Sequence, residues 1–180
     1  TRTSEPFLPY ARNPETLARP WAIPGTPGLE HRIGGLAKAD LTGNVSYDGL
    51  NNEKMVYYRA EKIRRIANDI PEQEVFGPQS GKLLVLGWGG TFGPIYQAAA
   101  NLKAEGIQVS QAHLNYLNPF PRNFGKVLSQ FKQILIPELN SGQLLMLIRS
   151  TYPGTNAVGL AKIQCQPFKV EEIKRKIKEL

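Results

Sequence analysis

A glycine-rich turn is the stretch of this 180-residue sequence best suited to chemistry. In LLVLGWGGTFGPIYQAAANLKAEG, residues 83–106, an apolar run is followed by Gly87, Gly89, Gly90 and Thr91 and then by an alanine-rich helical run. A strand, a tight turn and a helix in this order direct free backbone N–H groups towards an anion or a carbonyl group. We therefore predict that these four residues either bind such a group or allow close packing of the backbone, and we favour packing.

The turn departs from the common nucleotide-binding motifs. A dinucleotide fingerprint has glycines at its first, third and sixth positions and an acidic residue about twenty residues later. Counted from Gly87, the sixth position is Phe92, and the next glycine, Gly93, comes one residue late. The next predicted strand ends in AHLNYLN, which has no acidic residue, and a phosphate-binding Gly-Lys pair is also missing. These departures make nucleotide binding the less favoured hypothesis. We keep a free-standing module that binds a nucleotide or anion at the Gly87–Gly93 turn as the alternative to the function described below.

Two further polar residues are predicted near the carboxyl ends of strands, where open α/β sheets bind ligands. His113 and Glu138 are candidate binding residues, each with a structural explanation beside it. For His113 we favour the structural explanation, a ring satisfied by backbone hydrogen bonds. For Glu138, capping of the following helix together with Ser141 stands equally beside contact with a ligand or partner. Neither histidine has partners at the spacing of a metal site, so we predict no metal site and no catalytic residue in this chain.

The composition excludes several classes of protein. The net charge is +7, but the 22 Lys and Arg residues are interspersed with 15 Asp and Glu, so nucleic acid is not an expected partner. No apolar run approaches the roughly 18 residues of a membrane span, so a membrane partner is not expected either. Cys165 is the single cysteine, which excludes an internal disulfide and a cysteine-ligated cluster. We predict that Cys165 is buried in a strand and that the protein is cytoplasmic.

The pattern of apolar residues divides the sequence into two parts. Residues 1–80 are predicted to form an extended, proline-rich arm with one helix over residues 52–68, the end of a preceding domain. The aromatic residues of the arm make it too apolar for a free linker, so we expect the chain to be a piece of a longer protein. Residues 81–180 alternate between strands and helices. The predicted strands are 82–88, 107–114, 132–139 and 161–168, with a terminal helix after the last.

This alternation predicts an α/β fold, with a small, mostly parallel twisted sheet covered by helices on both faces. The sequence is also similar, in three separated stretches, to the α subunit of 2-oxoacid:ferredoxin oxidoreductases, most closely the 2-oxoglutarate type. The stretches are LLVLGWGGTFGPIYQAAANLKAEG, AHLNYLNPFPRN and ILIPELNSGQLLMLIR, and the arm segment PGTPGLEHRIGGLAKADLTGNVSYDGLNNEKMVYYRAEKI precedes them. The resemblance implies a domain like the C-terminal domain of transketolase over residues 81–180.

The resemblance implies a function for the whole enzyme. That enzyme decarboxylates a 2-oxoacid oxidatively to an acyl-CoA and passes the electrons to ferredoxin, using thiamine diphosphate with Mg, coenzyme A and iron–sulfur clusters. The implied partners are the N-terminal part of the α subunit, the β subunit and ferredoxin. The implied role of this fragment is structural, in assembly, so the isolated chain is expected to be inactive and to bind none of these cofactors alone.

The arm carries residues suited to an acidic substrate. Under the implied function, Arg12, Arg19, His31 and Arg32 are candidates to face a substrate such as 2-oxoglutarate, because arginine forks match carboxylates. Ordinary salt bridges and caps are the competing explanation for these side chains.

Overall fold

The structure, a computed structural model, describes residues 6–180 and contains a four-stranded parallel sheet in its C-terminal part. The helices are α1 (Gly49–Ile66), α2 (Phe92–Ala104), α3 (Phe124–Ser129), α4 (Gln143–Thr151) and α5 (Val170–Lys178), and the strands are β1 (Gly81–Trp88), β2 (Ser110–Leu114), β3 (Phe131–Glu138) and β4 (Ala157–Ala161). A short 3₁₀ turn, Gly89–Thr91, joins β1 to α2. None of the helices in the described part of the chain is long and apolar enough to cross a membrane.

The strand order is β2-β1-β3-β4, and every neighbouring pair is parallel. β1 therefore lies inside the sheet, with Leu84 opposite both Ser110 of β2 and Ile134 of β3. From β1 the chain passes first to one side of the sheet and then to the other. This order creates a switch point between β1 and β3, the place where open parallel sheets hold ligands.

Both faces of the sheet are covered by helices. Leu84 and Leu86 of β1 face a core that includes Phe124 of α3 and Ile148 of α4, whereas Val85 faces a second core. That second core is built with α2 and α5, and its fully or nearly buried members include Ile95, Ala98, Leu102, Ile173 and Ile177. Burial on both faces explains why the central strands are continuous apolar runs. The predicted α/β fold class is confirmed.

The outer edge of β2 is covered by residues 70–80, the segment that precedes β1, which we call the covering segment. Phe76 and Gln111 exchange two backbone hydrogen bonds, of 2.8 and 3.0 Å, as an antiparallel bridge. The side-chain amide of Gln73 donates to the carbonyl of His113 at 3.1 Å. The chain divides into two compact units, one ending at Asp69 and the other Ile70–Leu180, and these contacts belong to the second. The predicted domain boundary at residue 80 stays a prediction.

In the first unit, the arm packs on its own helix. Met55 of α1 is buried, and Arg65 Nη1 donates to the carbonyls of Pro14 and Glu15 at 2.7 and 2.6 Å. Asp48 caps α1 by accepting a hydrogen bond from the Leu50 N–H at 3.0 Å. The arm therefore has an ordered path of its own despite its prolines.

The prediction of the last strand was wrong. β4 covers Ala157–Ala161, whereas the predicted strand was 161–168, of which residues 162–168 are irregular. Lys162 explains the break, because its Nζ bonds to the Pro167 carbonyl at 3.0 Å and to the Glu172 carboxylate at 2.8 Å, which turns the chain into α5. Cys165 lies in this turn with a φ of 53° and is exposed, so its predicted burial was also wrong.

Ion pairs join the end of α2 to α5. The Glu105 carboxylate accepts from Lys174 Nζ at 2.8 Å and from Lys178 Nζ at 2.6 Å. Hydrogen bonds from these two lysines lower the pKa of Glu105 to about 2. The ion pairs therefore persist in mildly acidic solution.

We expect a carboxyl titration followed by NMR to give Glu105 a pKa of about 2, and Lys174→Gln to move it back towards 4.5. Because folding lowers this pKa, the stabilisation by Glu105 is fully present above about 4.5 and is lost as the pH falls through about 2. Lys82→Gln, at a lysine of β1 that forms no ion pair with Glu105, is the matched control. A pKa of 4.5 in the unaltered chain would contradict the ion pairs.

Candidate functional site

The turn after β1 is closed by one of its own side chains. Thr91 is 2% exposed, and its hydroxyl donates to the Trp88 carbonyl at 2.8 Å and accepts from the Trp88 N–H at 3.1 Å. A hydroxyl engaged in both directions has little left to offer a ligand. Thr91 therefore shapes the turn.

The glycines of the turn serve different purposes. A Cβ on Gly87 would lie 2.5 Å from Ile95 Cδ1, 2.7 Å from Thr91 Oγ1 and 3.2 Å from His113 Nδ1, so Gly87 allows β1 to approach α2 and β2 closely. Gly89 has a φ of 56°, a left-handed conformation that favours glycine. Gly90 has neither constraint, since a Cβ there would meet only Leu139 Cδ1 at 3.9 Å. The geometry at Gly87 supports the packing explanation.

Glu138, at the end of β3, holds the start of α4. It is 1% exposed, and its two carboxylate oxygens accept the backbone N–H groups of Leu144 at 2.7 Å and Leu145 at 3.0 Å. A buried carboxylate bonded to a helix N-terminus is stabilised by the free N–H groups and by the helix dipole. Of the two explanations predicted for Glu138, the structure shows the cap.

The capping role expected of Ser141 is filled by the neighbouring residues Asn140 and Gly142. The residue that precedes the first turn of α4 is Gly142, with a φ of 100°. Asn140 Oδ1 accepts the N–H groups of Gly142 and Gln143 at 2.8 and 3.0 Å. Asn140 and Glu138 together satisfy four successive N–H groups.

His113 lies on β2 directly opposite Gly87. Its Nδ1 is buried and has no hydrogen-bond partner among the described residues, so the predicted backbone hydrogen bonds to the ring are not formed. The ring packs edge-on against Phe92, with ring centroids 5.2 Å apart. Burial lowers the pKa of His113, so the ring favours its neutral form.

Two cavities lie near these side chains. One, of about 240 Å³, is at the switch point and is lined by Trp88, Gly89, Gly90, Thr91, Leu139 and Asn140. The other, of about 460 Å³, is on the outer side of β2 and is lined by His113 and by residues of the covering segment. The structure therefore brings Gly89, Gly90 and Thr91 together at the first cavity and places His113 at the second. Gly87 and Glu138 line neither cavity.

The candidate arm residues have separate surroundings. The guanidinium groups of Arg12 and Arg19 lie over the Tyr10 ring at 5.8 and 4.4 Å, and Arg12 also donates to the Leu17 carbonyl at 3.1 Å. His31 and Arg32 line a cavity of about 390 Å³. His31 Nδ1 lies 2.9 Å from the Leu29 carbonyl oxygen. A substrate contact by these four side chains stays a prediction.

Sequence reasoning missed several of these residues. Gln111 and Phe76 carry no motif, and their roles depend on which segments are neighbours. Asn140 was missed for a different reason. The local signal for Asn140 was available, because asparagine commonly accepts hydrogen bonds from residues two and three positions later. No three His, Cys, Asp or Glu side chains within residues 6–180 are grouped so that they could hold a metal ion.

Comparisons with known proteins give the chain its context. No family model matches it. It is 46% identical to the 2-oxoglutarate oxidoreductase subunit KorA of Mycobacterium tuberculosis over 98% of its own length and 27% of that subunit. It is 28% identical to subunit alpha of the 2-oxoacid:ferredoxin oxidoreductase 2 of Aeropyrum pernix, over 85% of this chain and 23% of that one.

A solved structure agrees with the sequence matches. The 2-oxoglutarate:ferredoxin oxidoreductase of Magnetococcus marinus, with 2-oxoglutarate, coenzyme A and succinyl-CoA bound, superposes with a TM-score of 0.87 at 27% identity. The match covers 99% of this chain and 31% of that one. The fold and the comparisons place the chain among the α/β segments of 2-oxoacid oxidoreductase α subunits.

Within that class, the chain resembles the C-terminal region of the α subunit, and the proteins it matches include a 2-oxoglutarate oxidoreductase subunit and a 2-oxoglutarate:ferredoxin oxidoreductase. The predicted resemblance is confirmed. The chain spans about a quarter of the length of the curated relatives it matches, 27% for one and 23% for the other.

Proposed function

We propose that this chain is a structural part of a 2-oxoglutarate:ferredoxin oxidoreductase. The whole enzyme would convert 2-oxoglutarate and coenzyme A to succinyl-CoA and carbon dioxide, with two electrons passed to ferredoxin. The observation that carries the proposal is the superposition of nearly the entire chain on the Magnetococcus marinus enzyme, with a TM-score of 0.87. The 46% identity to KorA supports the same substrate class.

The polar groups at the strand ends support a role in packing and assembly. Thr91 closes its own turn, and Glu138 caps α4. Gly87 has no side chain, which allows β1 to pack closely against α2 and β2. The polar side chains of Thr91 and Glu138 are thus used to position backbone. The chemistry of the enzyme is therefore assigned to parts outside this chain.

The side chains present do not form a binding cluster for the metal ions of the implied cofactors. Magnesium thiamine diphosphate needs oxygen ligands, and iron–sulfur clusters need several cysteine thiolates. The described residues bring together no group of three His, Cys, Asp or Glu side chains that could hold a metal ion, and Cys165 is the single cysteine of the sequence. We therefore propose that thiamine diphosphate, coenzyme A and the clusters are held by the rest of the α subunit and by the β subunit. A cytoplasmic location is part of the same proposal.

A reconstitution experiment tests this function. The purified chain would be mixed with the β subunit and the complementary portion of the KorA α subunit, and reduction of ferredoxin by 2-oxoglutarate and coenzyme A would be measured. We expect no turnover by the chain alone, and co-elution with turnover in the mixture that exceeds turnover with pyruvate. Turnover by the chain alone would contradict the structural role, and failure to form a complex would contradict membership in the enzyme.

A further inference from the structure

A row of exposed aromatic rings lies on the outer side of the sheet. Phe76 of the covering segment and Phe92 and Tyr96 of α2 are 44%, 43% and 53% exposed. The rings of Phe76 and Phe92 meet edge to face at 6.5 Å, and those of Phe92 and Tyr96 stack at 5.9 Å. Contiguous exposed aromatic rings are typical of binding surfaces, because they bury a large area with little loss of side-chain entropy.

These rings border two adjacent cavities, which we together call the aromatic groove. The cavity of about 460 Å³ beside His113 and a second cavity of about 810 Å³ beside Gln111 share Phe76 as a wall. Ala99 and Ala100 of α2 line the second cavity with small side chains. The groove therefore follows β2 and offers room for a polypeptide segment.

A buried amide in the groove lacks a partner. Gln111 is 4% exposed and lines the larger cavity, and its Oε1 is buried without a hydrogen bond among the described residues. The backbone of Gln111 is already bonded to Phe76, so the side chain alone remains unsatisfied. Buried polar groups are nearly always hydrogen-bonded, and rotation of the terminal amide exchanges its oxygen and nitrogen. The amide is therefore available to a group that enters the groove.

The charge at one end of the groove selects the kind of group. Glu72 and Glu74 line the smaller cavity and are exposed, and neither forms an ion pair within residues 6–180. None of the side chains that line this cavity is a lysine or an arginine. An anion is therefore disfavoured there, whereas a cation gains from both the carboxylates and the ring faces.

We propose that the aromatic groove binds an arginine-bearing segment of another polypeptide. The guanidinium stacks on Phe92 and pairs with Glu72 and Glu74, and the segment's backbone satisfies the Gln111 amide. Arginine suits the site better than lysine because its flat group can stack and can donate two parallel hydrogen bonds to a carboxylate. The inference rests on the groove alone and does not depend on the proposed enzymatic activity.

A pair of short peptides tests the proposal. The full chain, labelled with ¹⁵N, would be titrated with Ac-Leu-Arg-Leu-NH₂ and with the same peptide carrying neutral citrulline. We expect millimolar binding of the arginine peptide, with shifts in the Gln111 side-chain amide and in the backbone amides of Phe76 and Phe92. The citrulline peptide is expected to bind about fivefold more weakly, and added salt is expected to weaken binding of the arginine peptide.

Substitutions locate the site and decide the outcome. Glu72→Gln with Glu74→Gln is expected to weaken binding of the arginine peptide about fivefold, and Phe92→Leu about threefold, with dispersed spectra showing that each variant is folded. Glu53→Gln removes one charge from α1 and is expected to leave affinity unchanged. Equal binding of the two peptides, shifts elsewhere, or groove shifts that grow with protein concentration alone, as for a second copy of the chain, would each overturn the proposal.

Discussion

Replacing Glu138 with alanine is expected to lower the free energy of unfolding by about 3 kcal/mol. The carboxylate is 1% exposed and accepts two N–H groups at the start of α4, at 2.7 and 3.0 Å. Its removal leaves donors unsatisfied in a place where water is excluded, and it creates a cavity where the side chain lay. Chemical denaturation followed by circular dichroism measures the loss.

Two further variants distinguish loss of the helix cap from a nonspecific loss of stability. Glu138→Gln keeps an acceptor of similar shape but loses the charge. We therefore expect its free energy of unfolding to lie between those of the native chain and Glu138→Ala. Glu53→Ala, at an exposed glutamate of α1, is the control and should change stability by less than about 0.5 kcal/mol. Hydrogen exchange should quicken first at Leu144 and Leu145. A loss below about 1 kcal/mol in Glu138→Ala would contradict the cap.

Gly87→Ala is expected to cost about 2 kcal/mol, because the added methyl group has nowhere to go. It would lie 2.5 Å from Ile95 Cδ1 and 2.7 Å from Thr91 Oγ1, and neither atom moves easily. Ile95 is 3% exposed within the core under α2, and the Thr91 hydroxyl is held by two hydrogen bonds to Trp88. Room for the methyl group therefore comes only from displacing the turn or α2.

Gly90→Ala is the matched control for Gly87→Ala. The two glycines are three positions apart, but a methyl group at Gly90 would make one ordinary contact, with Leu139 at 3.9 Å. We expect its unfolding free energy to stay within about 0.5 kcal/mol of the native value. Equal losses in the two variants would mean that the turn resists any side chain, and the packing explanation for Gly87 would fail.

The central strands could be predicted because their signal is local. Residues 83–86 and 134–136 are apolar at every position, and burial on both faces of a parallel sheet requires this. β4 could not be predicted in the same way. Its five residues include Gly159 and end in a turn organised by Lys162, and its place depends on pairing with β3. An edge strand of this length carries too little local pattern to be separated from the residues that follow it.

The candidate site was also predictable only where its signal is local in the sequence. The glycine pattern and the position of Glu138 at a strand end were visible in the sequence, and so was the competition between capping and ligand binding. The choice between them depended on whether the carboxylate met the N–H groups of α4, which is a matter of tertiary distance. The aromatic groove had no signal at all, because Phe76, Phe92 and Gln111 come from three elements that only the fold brings together.

The bridge between Phe76 and Gln111 has a consequence for any attempt to isolate the α/β unit. An uncovered edge strand is a template to which a strand of another molecule can add. A shortened chain that began at Gly81 would keep all four strands but would leave the outer edge of β2 without its cover. One that began at Ile70 would retain Gln73 and Phe76 and with them a closed edge. The residues before β1 thus protect the chain from self-association through the outer edge of β2.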